Sequence, residues 1–408
     1  MQVNSGDFRR PYDWCVASTN PSPLRLARTG EVLDLLRRGA AETTADLAAT
    51  MGLARSTVTE RLDVLLKHGL IVSVGETSGA RGRPASRLAF NASAGVTLAA
   101  QVGMSGMLMA VTNLAADVLW YRKVDIDVSE GPEALLRDLE RHFDEGLAEV
   151  GGDAGRLYGL GIGMPGDLEI AGTGATTAQW RSFPLADRLR ERYERPVFTD
   201  RDVNFLALGE HRTSWPDARV FLCLKVGTVI ACGLIIDGQV VRGATGLLGE
   251  IGHTKVHGHE APCTCGSRGC LNTVAGGAAL AARLHEHGFD IRTAREVSEL
   301  ANRGVLEAVQ EVREAGRQIG DVVAGAINLL NPDVIAVWGY LVDAGDQFLV
   351  GMQEAIYKTA LPAAARAVTL ARSPYGDDAG LRGAALTVIE HTLDPDAIDA
   401  FVTESAAA

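Results

Sequence analysis

Residues 43–90 read TTADLAATMGLARSTVTERLDVLLKHGLIVSVGETSGARGRPASRLAF, and the spacing of apolar residues changes period within them. Thr43-Thr44-Ala45-Asp46 has the form of a capping box, in which hydroxyl and carboxylate each satisfy a backbone N–H at a helix start. A short helix is expected from there to Gly52. Another, beginning at Ala54 or Arg55, places Val58, Leu62, Leu65 and Leu66 on one face and leaves Ser56, Thr57 and Glu60 facing outward. Gly69 stops it. The period then falls to two: Leu70-Ile71-Val72 opens a strand, GETSGARGRP is a turn too rich in Gly and Arg for a core, and SRLAF returns as a second strand. Upstream, Leu33 and Leu36 belong to an apolar stripe from about Leu24 to Arg38, an earlier helix.

Three helices followed by a β-ribbon are the order of a winged helix-turn-helix. Such a unit can serve contacts between proteins alone, but here the ribbon carries Arg81-Gly82-Arg83-Pro84, a compact cationic element suited to a narrow minor groove. With the third helix in the major groove, Arg55, Ser56 and Thr57 reach bases or phosphates, Arg81, Gly82 and Arg83 grip beside them, and Arg87 adds a phosphate contact. Double-stranded operator DNA is the expected partner. Charge sets this head apart: residues 21–92 hold ten Lys/Arg against seven Asp/Glu and residues 1–20 balance, so with −12 overall the remainder carries −15.

The 408 residues, 47% hydrophobic and 22% charged, describe a globular chain with room for two or three domains. No apolar run approaches the roughly 18 residues of a membrane span. The start, MQVNSGDFRRPYDW, has no apolar stretch after its arginines, so no secretory signal is expected and the cytoplasm is the expected location. Residues 1–20 and the tail VTESAAA carry no readable signal and are expected to be mobile.

From about Ser93 strands alternate with helices. GVTLAAQVGMSGMLMAVTNLAADVLW suits a hairpin at a sheet edge, a helix is expected near Pro132–Val150, and a strand and loop over Leu160–Gly166. A helix near Leu185–Arg195 precedes the strand-rich FLCLKVGTVIACGLIIDGQVV, and NPDVIAVWG reads as a terminal strand. The expected class is α/β, with residues 93–408 forming a body of two lobes around a cleft.

Three of the six cysteines fall within eight residues. His253 followed by Cys263, Cys265 and Cys270 gives one imidazole and three thiolates, a closed tetrahedral set that suits structural zinc and leaves no position for a catalytic water. His257 and His259 are nearby competitors for the imidazole position.

Taken together, GRPASRLAFN closing the head, then GIGMPG, DRDVNFLALGE, GEIGHTKV with CTCGSRGC, LNPDVIAVWG and AGLRGAAL make the chain resemble, from end to end, the ROK family of sugar kinases and sugar-responsive repressors. The resemblance implies an actin-like two-lobed body, dimers, and a zinc module over residues 250–272 with His253 as the ligand.

It also allows the kinase chemistry to be tested position by position. The first phosphate motif, normally an acid, a glycine pair and a threonine, reads Gln101-Val102-Gly103-Met104-Ser105-Gly106; the second, Gly227 to Gly233, has Val229 and Ala231 in place of glycines. A β-branched residue disfavours positive φ and blocks close approach to phosphate. The adenosine-side glycine pair reads Trp338-Gly339-Tyr340. No phosphotransfer is expected.

In the sugar site the resemblance places Asp202 as the vestigial base and Glu250 and His253 as sugar contacts, whereas Arg201 replaces an asparagine and Asn272 a glutamate. Arg201 either pairs with an acidic or phosphorylated effector or bridges to Asp200 or Asp202 and fills the pocket. The expectation is a DNA-binding regulator, a repressor, whose body forms a homodimer or homotetramer and senses a carbohydrate-related effector. The alternatives are a sugar kinase carrying a DNA-binding head and a constitutive zinc-stabilised DNA binder.

Overall fold

The computed structural model describes residues 28–76, 86–104, 106–151, 156–166 and 175–407; the segment 1–20 and Arg81, Gly82 and Arg83 lie outside them. The chain divides into two compact units, Ala92–Thr392 and a head to which Leu393–Ala408 also belongs.

The head contains helices α1 (Thr29–Arg37), α2 (Thr44–Met51) and α3 (Arg55–Lys67), then the antiparallel strands β1 (Ile71–Glu76) and β2 (Ser86–Phe90). Thr43 and Asp46 form the expected capping box on α2, and Gly52, at φ 66°, makes the turn into α3. Val32, Leu33, Leu47, Val58, Leu62, Leu65, Leu70 and Leu88 are buried, each contributing about 1.5–3 kcal/mol when fully removed from water. Leu66, expected on the buried face, is 41% exposed; Arg61 is buried instead and donates to the Thr57 carbonyl at 2.8 Å.

The tail differs from expectation in the same unit. Residues Pro395–Ala407 form a helix packed against α1, with Ile398 and Val402, one turn apart, buried. Its Asp399 carboxylate accepts from the backbone N–H groups of Arg28 (2.7 Å) and Gly30 (2.8 Å), so the start of α1 is capped from the far end of the sequence. Gly30 is required there, because a Cβ would lie 2.1 Å from the Pro395 carbonyl oxygen.

The body holds two five-stranded sheets. The first comprises β3 (Val96–Val102), β4 (Gly106–Asn113), β5 (Val118–Asp125), β6 (Leu157–Met164) and β7 (Val197–Arg201), in the order β5-β4-β3-β6-β7. The second comprises β8 (Val220–Val226), β9 (Ile230–Ile236), β10 (Gln239–Val241), β11 (Val334–Trp338) and β12 (Thr369–Arg372), in the order β10-β9-β8-β11-β12. Each sheet runs three antiparallel strands and then two parallel ones, so one topology occurs twice. This is the two-lobed α/β body that the sequence implies.

Two local expectations are corrected. The β3–β4 hairpin lies inside its sheet, because Val118–Asp125 supplies a further edge strand whose alternating exposure weakens its apolar signal. Likewise β11 is not terminal, since the short β12 pairs beside it. Among the described residues no helix is long and apolar enough to cross a membrane.

Candidate functional site

The first turn of α3 presents Arg55 and Ser56 to solvent, with Thr57 half-buried and its carbonyl accepting from Arg61. Arg87, on β2, is exposed but pairs with Glu42 at 2.5 Å. It is thus an ion-pair partner in the free head, and a phosphate would have to compete for it.

The second candidate site forms where β7 ends and the helix Asp202–Ser214 begins, at the carboxyl edge of the first sheet. Asp200, Arg201 and Asp202 all sit at this junction, and each reaches across to residues of the second lobe. Asp200 accepts from Arg242 Nε at 2.8 Å, from the Asn204 amide at 2.7 Å and from the Arg201 backbone N–H at 2.7 Å. The Arg201 side chain, 9% exposed, donates Nη1 to the Leu248 carbonyl at 2.7 Å and Nη2 to Glu250 Oε1. It therefore bridges to Glu250 and not, through its side chain, to Asp200 or Asp202.

Asp202 is buried and both its carboxylate oxygens are engaged: Oδ1 accepts the Val203 N–H at 2.8 Å and Oδ2 pairs with Lys225 Nζ. Lys225 stands on β8 opposite Ala231 of β9 and Trp338 of β11, so strand pairing aims it at the cleft. A carboxylate held by a cation and a helix N-terminal N–H is poorly placed to remove a proton from a hydroxyl. Lys225 was missed by sequence reasoning, although a lone lysine in the apolar run VFLCLKV is a visible signal. Gln101 was read only as a lost acid; its amide Nε2 donates to the Asp202 carbonyl at 2.7 Å, and Gly163 and Gly380 leave room for it, since a Cβ on either would lie within 2.6 Å of its side chain.

Asn272 is turned to the backbone, its Oδ1 accepting from the Ile230 N–H at 2.7 Å. On the nucleotide side, the Trp338 indole donates to Asp377 at 3.2 Å and Tyr340 lies under the Arg295 guanidinium, 5.5 Å from the ring centre.

The four sequence-predicted ligands do come together. His253, Cys263, Cys265 and Cys270 hold their ligand atoms within 4.8 Å of one another, while His257 and His259 are exposed and outside the cluster. His253 Nδ1 lies 3.5 Å from Cys263 Sγ and Cys265 Sγ lies 3.7 Å from Cys270 Sγ. Bonds of about 2.3 Å to sulfur and about 2.0 Å to nitrogen around one tetrahedral ion give edges of roughly 3.5 and 3.8 Å, so this donor set could hold a metal ion. The other ring nitrogen, His253 Nε2, lies 3.9 Å from Glu250 Oε2, linking the cluster to the cleft. Lys255, unremarked in the sequence, donates to Cys270 Sγ at 3.1 Å. Cys223 and Cys232, by contrast, are buried in β8 and β9, and burial pushes the Cys232 thiol up to about 12, which makes it an inert core residue.

Comparison with known proteins places these features. The family model described as the ROK family matches residues 97–391, and one described as a helix-turn-helix domain matches residues 30–74. A putative xylose repressor of Caldicellulosiruptor sp. is 29% identical over 366 residues, covering 86% of this chain and 92% of that protein. A glucokinase of Halalkalibacterium halodurans is 30% identical over 304 residues, covering 69% of this chain and 91% of that protein. Among solved structures, a ROK family transcriptional regulator described as a homolog of the E. coli MLC protein has a TM-score of 0.73 at 24% identity, covering 93% of this chain and 99% of that one.

Proposed function

The chain belongs to the ROK family, and from that premise we propose that it is a cytoplasmic DNA-binding transcriptional repressor of carbohydrate-related genes. The observation that carries this reading is a family body preceded by a helix-turn-helix whose third helix keeps Arg55 and Ser56 exposed. Arg55, Ser56 and Thr57 enter the major groove, Arg81, Gly82 and Arg83 take the minor groove, and Arg87 exchanges Glu42 for a phosphate. Two heads of a homodimer, or pairs within a homotetramer, engage half-sites about one helical turn, roughly 34 Å, apart or at a multiple of it. His253, Cys263, Cys265 and Cys270 hold a structural zinc that fixes the ring of His253 beside Glu250.

The body is a sensor and not a kinase. Both oxygens of Asp202 are engaged, Gln101 supplies no charge to the metal of a nucleotide, and Val229, Ala231, Trp338 and Tyr340 stand where close backbone approach is needed. A ligand bound at Arg201, Asp202, Glu250, His253 and Asn272 changes DNA affinity to the extent that it distinguishes two states of the body.

The test is a gel-shift titration on the DNA upstream of the protein's own gene, with and without sugars, sugar acids, sugar phosphates and ATP. Release by one of the sugar-derived compounds supports the reading; a shift that none of them moves leaves a constitutive binder, and no shift at any salt concentration overturns it. The glucokinase relative favours the second reading, a kinase with a DNA-binding head. Sugar-dependent ADP release from the purified chain establishes that reading, and its absence excludes it.

A further inference from the structure

Resting on the reading of the body as a sensor, we propose that Arg201 is the docking point of an anionic carbohydrate ligand, a sugar acid or a sugar phosphate, which enters by displacing Glu250. A neutral sugar offers hydroxyls, and the groups placed to meet them are already paired within the chain. Asp202 is held by the Val203 N–H and Lys225, Asn272 Oδ1 by the Ile230 N–H, and Glu250 by Arg201. For a hydroxyl to replace one member of a buried ion pair leaves the other charge uncompensated. A ligand that carries its own negative charge keeps Arg201 compensated and leaves only the displaced Glu250, beside His253, to be accommodated.

The sign of the charge follows from one atom. Arg201 Nη1 and Nη2 have partners, but Nε has none, although the side chain is 9% exposed. Nε and Nη2 share one edge of the planar guanidinium, the edge that takes a carboxylate or phosphate through two parallel hydrogen bonds. Glu250 Oε1 occupies the Nη2 half of that edge, and the Nε half is empty. The empty group is a donor beside a fixed positive charge, and a carboxylate or phosphate meets it with two acceptor oxygens and the opposite charge. Bidentate seating of the ligand replaces one hydrogen bond by two. Lys225, 16% exposed, supplies a second cation in the same cleft.

Gly166 packs against this edge. A Cβ there would lie 2.9 Å from Arg201 Nε, 3.2 Å from Nη2 and 2.6 Å from Glu250 Oε1, so the bare backbone of the glycine packs directly on the pair. His253 Nε2, 3.9 Å from Glu250 Oε2, is positioned to keep the displaced carboxylate.

Calorimetric titration of the full zinc-loaded chain with glucose, glucuronate, glucose 6-phosphate, xylose and xylonate tests this, with operator release followed by gel shift in parallel. An anion is expected to bind at least tenfold more tightly than its neutral parent. Arg201→Lys keeps the charge and removes the fork, and is expected to weaken the anion at least tenfold. Glu250→Gln removes the competing charge and is expected to tighten it severalfold, a gain that a merely structural defect does not produce. A neutral sugar that binds as tightly as its acid and releases the operator overturns the charge requirement while leaving effector-gated repression standing. Anion binding unmoved by Glu250→Gln overturns the displacement step. No binding and no release with any compound overturns this inference and the sensor reading together.

Discussion

The head and the cleft of the body are built by opposite means. In the head, α1, α3 and the helix Pro395–Ala407 bury aliphatic side chains such as Leu33, Leu65, Ile398 and Val402, and ion pairs such as Arg87 with Glu42 and Arg28 with Glu31 stay in solvent. In the cleft three charged pairs join the lobes: Arg201 with Glu250 and Lys225 with Asp202, both largely buried, and Arg242, one-third exposed, with the buried Asp200. Apolar contacts are non-directional and hold a fixed shape, whereas ion pairs can be exchanged for a ligand of matching charge. On the proposed function, the element that must keep one form for DNA is made by the first means, and the element that would respond to a ligand by the second.

The contrast can be broken most severely by ending the chain after Thr392. That removes the buried Leu393, Ile398 and Val402 along with the Asp399 cap, and the head is expected to lose about 5–10 kcal/mol, enough to abolish operator binding at 37 °C. The body should unfold as before; a melt in which both units fail together defeats the division. Next in size is Lys225→Met, which strands Asp202 in the cleft and is expected to cost the body about 2–4 kcal/mol in urea unfolding with the head unchanged. Equal loss in both units on a two-probe denaturation curve counts against it.

A finer probe is Asp399→Ala, which frees two backbone N–H groups of the α1 start and is expected to cost the head about 1–2 kcal/mol, read as weaker operator binding and faster amide exchange at Arg28 and Gly30. The smallest effect is expected from Glu42→Ala. Its exposed pair with Arg87 contributes under about 1 kcal/mol to stability, while freeing the guanidinium should leave DNA affinity unchanged or slightly raised. A loss of more than that in a chemical melt means the pair is structural.

What could be read in the sequence was local. The capping box at Thr43, the stop at Gly69 and the cysteine spacing are each decided within about twenty residues, and the structure forms all three. What escaped depends on contacts between distant segments. Nothing near Asp399 signals that its partners are the N–H groups of Arg28 and Gly30, and nothing near Arg201 selects Glu250 over Asp200. The repeated strand order was hidden for the same reason: β5 and β12 are short or half-exposed, and neither sheet is complete without them. Leu66 escaped because periodicity marks a face of α3 without saying how wide the covered part is.

The capping of α1 by Asp399 has a consequence for how the protein is made. A ribosome delivers α1, α2 and α3 first, and the body folds behind them while the residues that complete the head are still to be synthesised. Through most of translation α1 therefore lacks both its cap and its apolar cover. If the head depends on this helix as the truncation above is expected to show, the nascent chain becomes competent for its operator only when the helix after Thr392 leaves the exit tunnel.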